Sequence, residues 1–261
     1  MNKQTWLLIV VMSGFALADR AAAQTLVPNK STWKYLHPTD GVDPAKEDKD
    51  FHTTFHKADF DDSAWKTGAD KPGKHGGFGY GDKGFEGVDL GAPEEKDHRK
   101  TAYLRLKFKT DKAHEGLLFK CQRDDGVIVY LDGKEVLRDN VQKGDEAYDL
   151  FADEVTAGES ETQVNRKRIK VKLAAGEHVL AISLHNRKGG SSDLRIAEIS
   201  LEVAKEGGDE KDGDKKDGDK KDGDKEKRDR EKDKDDAKSD EGKADDDKKE
   251  VKPKPDTPDG R

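Results

Sequence analysis

Residues Arg123 to Asn140 read Arg-Asp-Asp-Gly-Val-Ile-Val-Tyr-Leu-Asp-Gly-Lys-Glu-Val-Leu-Arg-Asp-Asn, and no other stretch so narrows the folds open to this chain. Two apolar runs, Val127 to Leu131 and Val136 to Leu137, flank Asp132-Gly133. Asp-Gly between such runs predicts a tight hairpin, because a type I′ turn needs φ > 0 at both central positions. The hairpin is entered through two adjacent acids, Asp124 and Asp125, followed by Gly126. Neighbouring carboxylates repel, so they call for a cation, hydrogen-bond donors or open water.

Alternation with period two recurs on both sides of this segment. Ala102, Leu104, Leu106 and Phe108 alternate with Tyr103, Arg105, Lys107 and Lys109. Leu117, Phe119 and Cys121 alternate with Leu118, Lys120 and Gln122; Ile169, Val171 and Leu173 alternate with cations. Each pattern predicts a strand with one buried and one wet face. Val179 to Leu184 is nearly all apolar, as a central strand covered on both sides would be. Ile196, Ile199, Leu201 and Val203 predict a closing strand with a bulge near Ala197-Glu198. No amphipathic helix is evident between residues 24 and 203. Short strands separated by Gly-rich turns predict an all-β, antiparallel β-sandwich.

Between Asp40 and Lys100 lie Phe51, Phe55, Phe60, Trp65, Phe78, Tyr80 and Phe85. So many aromatics in loops predict segments folded back to cap one end of the sandwich, the alternative being an exposed stacking platform. His52 and His56 have the spacing of a helical zinc pair, but no Glu follows His52 and no helix is evident, so they read as packing or solvated residues. Gly79-Tyr-Gly81-Asp-Lys-Gly84 spells a dinucleotide fingerprint without its strand and helix, and reads as a loop. Cys121, the single cysteine, excludes an intrachain disulfide and falls at an inward strand position, as a small hydrophobe does.

The ends are a different material. Residues 1–23 read as a signal peptide: Lys3, an apolar run from Leu7 to Ala18 too short to span a bilayer, then Ala21-Ala22-Ala23 before Gln24. Export to a secreted or periplasmic location is the expectation. Residues 204–261 hold 19 Lys/Arg and 23 Asp/Glu with no aromatic residue, a composition expected to stay disordered. Its Lys-Asp-Gly-Asp-Lys repeats lack the ligand spacing of a calcium loop. With the tail at −4 and the leader at +1, residues 24–203 carry −4 of the net −7. No basic face points to nucleic acid, and no run reaches membrane-spanning length.

Six segments, taken in order, resemble one family. They are Ser31-Thr-Trp33-Lys-Tyr35-Leu36, Asp61-Asp62-Ser63-Ala-Trp65, Gly79-Tyr80-Gly81-Asp82, Asp124 to Gly133, Val179 to Asn186, and Ser191-Ser192-Asp193-Leu194. The pattern is similar to a jelly-roll domain of secreted bacterial proteins, notably planctomycete ones, related to the galactose-binding-like superfamily. Departures are Asp132, where the family often has Asn, and a charge-rich insertion between Asp40 and Phe51. The Asp-Asp-Gly hairpin start also resembles protective-antigen-type adhesin domains. Among those, calcium-dependent lectins hold the ion on adjacent aspartates, and the ion also ligates sugar hydroxyls. The resemblance implies a jelly roll from about 31 to 203 and an accessory, non-catalytic module.

The expectation is therefore an exported binding module for carbohydrate or another envelope component. The alternative is a structural or protein-interaction scaffold with a spacer tail. The candidate ligand-binding residues are Asp124, Asp125, His185, Asn186 and Asp193, with Asp124 and Asp125 as calcium ligands. Two roles stay open for the acid pair: holding calcium, or accepting backbone N–H groups to shape the turn. His185, Asn186 and Asp193 sit on the last loops, where they either converge on the same end or cap turns.

Overall fold

The period-two runs become strands in a computed structural model that describes residues 24–71, 73–187 and 191–205. The expected signal peptide at residues 1–23 and the segment beyond Lys205 lie outside these. In chain order the strands are β1 (Thr25–Val27), β2 (Thr32–Leu36), β3 (Lys66–Ala69), β4 (Phe78–Tyr80), β5 (Val88–Asp89), β6 (Thr101–Thr110), β7 (His114–Asp124), β8 (Gly126–Leu131), β9 (Lys134–Asp139), β10 (Asn165–Leu173), β11 (Gly176–His185) and β12 (Leu194–Val203). One sheet has the order β10-β7-β12-β4-β5, with β1 also pairing β12; the other has the order β3-β2-β6-β11-β8-β9. All pairings between these strands are antiparallel except the short β4–β5 pair. The expected antiparallel β-sandwich is what forms.

The hairpin turns at Asp132 (φ 50°) and Gly133 (φ 85°), the two positive values a type I′ turn demands. β7 and β8 belong to different sheets, so the chain crosses from one to the other at Asp124-Asp125. The acid pair thus sits at a sheet-to-sheet corner. β11 lies between β6 and β8 and is buried from His178 to His185. β12 slips register between Ala197 and Ser200, with Glu198 at φ 54°, the bulge its broken alternation predicts. Leu117, Phe119 and Cys121 face Leu104, Val129 and Ile182 in the core between the sheets. Burial pushes the Cys121 thiol up to about 12.

Two expectations need correction. The expected wet face of β6 is wet only at Lys107 and Lys109, while Tyr103 and Arg105 on the same face are fully buried. A second apolar layer covers these two, in which Phe51, Phe55, Trp65 and Tyr148 pack with Tyr103 and with Tyr130 of β8, so these aromatics cover the second sheet's outer face and not one end of the sandwich, while Phe78 and Tyr80 lie in the central core. Arg105 is tied beneath that layer to Asp62 at 2.8 Å and to the carbonyls of Phe55 and Lys57. Secondly, a turn of α-helix does form, at Phe51–Thr54 (α1). Its cause is packing: Phe51 and Phe55, four residues apart, both contact the Tyr103 ring. A four-residue segment leaves no periodicity to read. At the edge of the first sheet among the described residues, β10 alternates buried Ile169 and Leu173 with exposed Arg166, Arg168, Lys170 and Lys172.

Candidate functional site

Asp124, Asp82 and Asp193 bring carboxylate oxygens within 4.8 Å of one another. Three elements converge to do this. Asp124 ends β7, on the opposite parity from Leu117, Phe119 and Cys121, so it points to the first sheet's outer face. Asp193 immediately precedes β12, and β4 delivers Asp82 just past its end. β4 can run so close to β12 because of its glycines. A Cβ on Gly81, which has φ 91°, would lie 2.3 Å from the Ser192 carbonyl oxygen. The Gly-Tyr-Gly-Asp segment is therefore a device for seating Asp82 beside Asp193.

Asp124 is 2% exposed, and its Oδ1 is buried without a hydrogen-bond partner. Burial, then the neighbouring Asp125 and Asp193 carboxylates, push its pKa up to about 9. Asp82 is raised as well, burial outweighing the opposing pull of Arg195. Arg195 Nε stands 3.1 Å from Asp82 as an ion pair, without hydrogen-bond alignment. Ser191 donates to Asp193 at 3.1 Å. This is a site with more negative charge than donors to hold it.

Asp125 faces elsewhere. Its Oδ1 accepts from the Thr156 N–H at 2.8 Å and its Oδ2 from the Arg187 N–H at 2.9 Å. Its carbonyl accepts from the Asn140 side chain and the Thr156 hydroxyl. The two candidate roles of the pair are thus divided: Asp125 braces the corner, and Asp124 faces the cluster.

Asn186 lies beside the cluster through Tyr80, whose hydroxyl accepts its side-chain amide at 3.1 Å. His185 does not join them. It follows Val179, Ala181 and Ser183 in parity and points to the second sheet's outer face. There Nδ1 lies 2.7 Å from the Leu150 carbonyl, and Nε2 lies 2.8 Å from Ser183 Oγ and 3.6 Å from Glu146. Adjacent strand residues point to opposite faces, so His185 and Asn186 do not share a site. Asp82 was not among the sequence candidates. The signal that reaches it is its place directly after Gly79-Tyr-Gly81.

No family model matches the chain, and no curated protein matches it. Among solved structures it is similar to a calcium-binding mutant of Bacteroides uniformis beta-glucuronidase 2, at 14% identity and TM-score 0.37, over 69% of this chain and 18% of that one. It is similar also to a family 35 carbohydrate binding module from Clostridium thermocellum, at 13% identity and TM-score 0.26, over 41% of this chain and 75% of that one. A third is the Epithelial Adhesin 9 A domain from Candida glabrata in complex with Galb1-4GlcNAc, at 12% identity and TM-score 0.27, over 71% of this chain and 99% of that one. The chain spans less than a fifth of the glucuronidase. Likenesses at this level carry no argument about function. Among the described residues no helix is long and apolar enough to cross a membrane.

Proposed function

We propose that this domain is an exported, non-catalytic module that binds a glycan through a calcium ion held by Asp82, Asp124 and Asp193. The observation that carries the reading is Asp124 Oδ1, a buried carboxylate oxygen without a donor, set among two further carboxylates. A buried anion is strongly disfavoured unless a proton, donors or a cation meet it. The donor set fits a hard cation, since calcium takes roughly six to eight oxygens. Three carboxylates leave part of that shell for water or sugar hydroxyls. Asp125 supports the site from behind by fixing the corner, and Arg195 orients Asp82.

The test is a set of thermal melts of the full chain in calcium and in chelator. Calcium at a hundredfold excess over Kd should stabilise the domain by about 2.7 kcal/mol. Asp124→Asn with Asp193→Asn should abolish that gain while the domain stays folded. Calcium must displace the Asp124 proton, so the gain should grow as pH rises from 5 to 8. A glycan array probed with and without calcium then tests the ligand. If calcium leaves the wild-type melting temperature unchanged, the cluster is a protonated structural corner, and the scaffold reading replaces this one.

A further inference from the structure

We infer that the cleft between α1, the β8–β9 hairpin and the Gly144–Glu146 loop is a second ligand site, independent of the carboxylate corner, for a neutral polyhydroxylated molecule such as a monosaccharide unit. The cleft has a volume of about 410 Å³, within the range of small-molecule sites. His52, His56, Tyr130, Arg138 and Glu146 are among the residues that line it. Three of these carry buried polar atoms without hydrogen-bond partners: Glu146 Oε1, His52 Nδ1 and His56 Nδ1. Buried polar groups are nearly always paired, so their concentration around one opening points to a partner that comes from outside.

The chemistry of the wall selects its class. Glu146 has a side chain only 5% exposed, and its other oxygen accepts from the Tyr130 and Ser183 hydroxyls at 2.8 Å each. Its free oxygen can only accept while the group is ionised. His52 Nε2 faces Asp43 Oδ1 at 2.8 Å, which places its proton there and leaves Nδ1 as an acceptor. His56 is stacked on Tyr130, with ring centroids 4.3 Å apart, so its ring is held in place. The inner wall is thus acceptor-rich and preorganised. An ammonium is a poor match, because Lys57 and Arg138 also line the cleft and His185 already stands behind Glu146. A carboxylate or phosphate is a poorer one, because it would face Glu146. Hydroxyl groups donate to the acceptors and carry no charge.

The experiment uses the full chain in chelator, so that the carboxylate corner does not contribute. Saturation-transfer NMR with methyl β-D-glucopyranoside and methyl β-D-galactopyranoside at millimolar concentration should show transfer to at least one. Thr53→Trp adds bulk at an exposed position on the cleft wall and should abolish it. His56→Phe keeps an aromatic ring beside Tyr130, removes Nδ1, and should weaken binding by about threefold to tenfold. No transfer to either glycoside overturns the proposal, as does transfer undiminished in Thr53→Trp. Displacement of the glycoside by equimolar methylammonium would show that the cleft prefers a cation, and the polyol assignment would fall.

Discussion

Asp124, on the outer face of one sheet, and Glu146, on the outer face of the other, are both buried carboxylates. Burial penalises the charged form of each. Glu146 nonetheless titrates below the ordinary carboxylate range: burial pushes it up, but His185, Tyr130 and Ser183 together outweigh that push. Asp124 goes the other way, to about 9, with burial first among the causes and Asp125 and Asp193 adding repulsion. Asp70 lies between them. It is 1% exposed, with one oxygen accepting from the Ile199 N–H at 3.0 Å and the other unpartnered. Its pKa rises to about 6. Across the three sites, depth is nearly constant and the supply of donors varies. The supply of donors sets the direction.

The sharpest way to break this comparison is to remove the better-supplied acid. Glu146→Ala leaves the Tyr130 and Ser183 hydroxyls without their acceptor and His185 without its counter-charge, and should cost about 3–5 kcal/mol in urea denaturation at pH 7. Asp124→Asn should act with the opposite sign. In chelator at pH 8 it removes a carboxyl that must hold a proton in the fold but is ionised in the unfolded chain, and should stabilise by on the order of 1–3 kcal/mol. The sign follows from linkage. Asp124 has a folded pKa above its unfolded value, so the protonated fold is favoured below about pH 4 and that stability is lost as pH rises toward 9. The wild type should therefore lose stability over that window and Asp124→Asn should lose less. Equal slopes would mean the cluster is already neutralised. Asp70→Asn should flatten only the part between about pH 4 and pH 6, by about 2–3 kcal/mol. Gly133→Val strains a turn residue at φ 85° that belongs to neither acid, and should cost about 1 kcal/mol while leaving both pH slopes intact.

The sandwich was legible because its evidence is local. Alternation marked β6, β7 and β10, the apolar run marked β11, and Asp132-Gly133 marked the hairpin. The burial of Tyr103 and Arg105 was not legible, because it depends on a loop some fifty residues upstream folding over β6. The site was half legible. Asp124, Asn186 and Asp193 fall at or beside the corner, while His185 belongs to the opposite face by strand parity alone. That parity could have been counted from Val179 onward. Asp82 needed tertiary information, namely that glycines bring β4 against β12. Glu146 had no sequence signal, since one acid in a polar loop looks like any other.

The alternation along β10 has a consequence for how copies of this domain behave at close quarters. An unpaired strand at a sheet edge is a template for pairing with another chain. Two β10 strands brought together edge to edge would set Arg166, Arg168, Lys170 and Lys172 of one copy beside the same residues of the other. Like charges facing across strands are destabilising. The far edge of the same sheet ends in β5, two residues long, which offers little to extend. Many copies crowded on one surface would therefore stay separate particles along these edges, and exchanging the β10 cations for threonine would turn that edge into an adhesive seam.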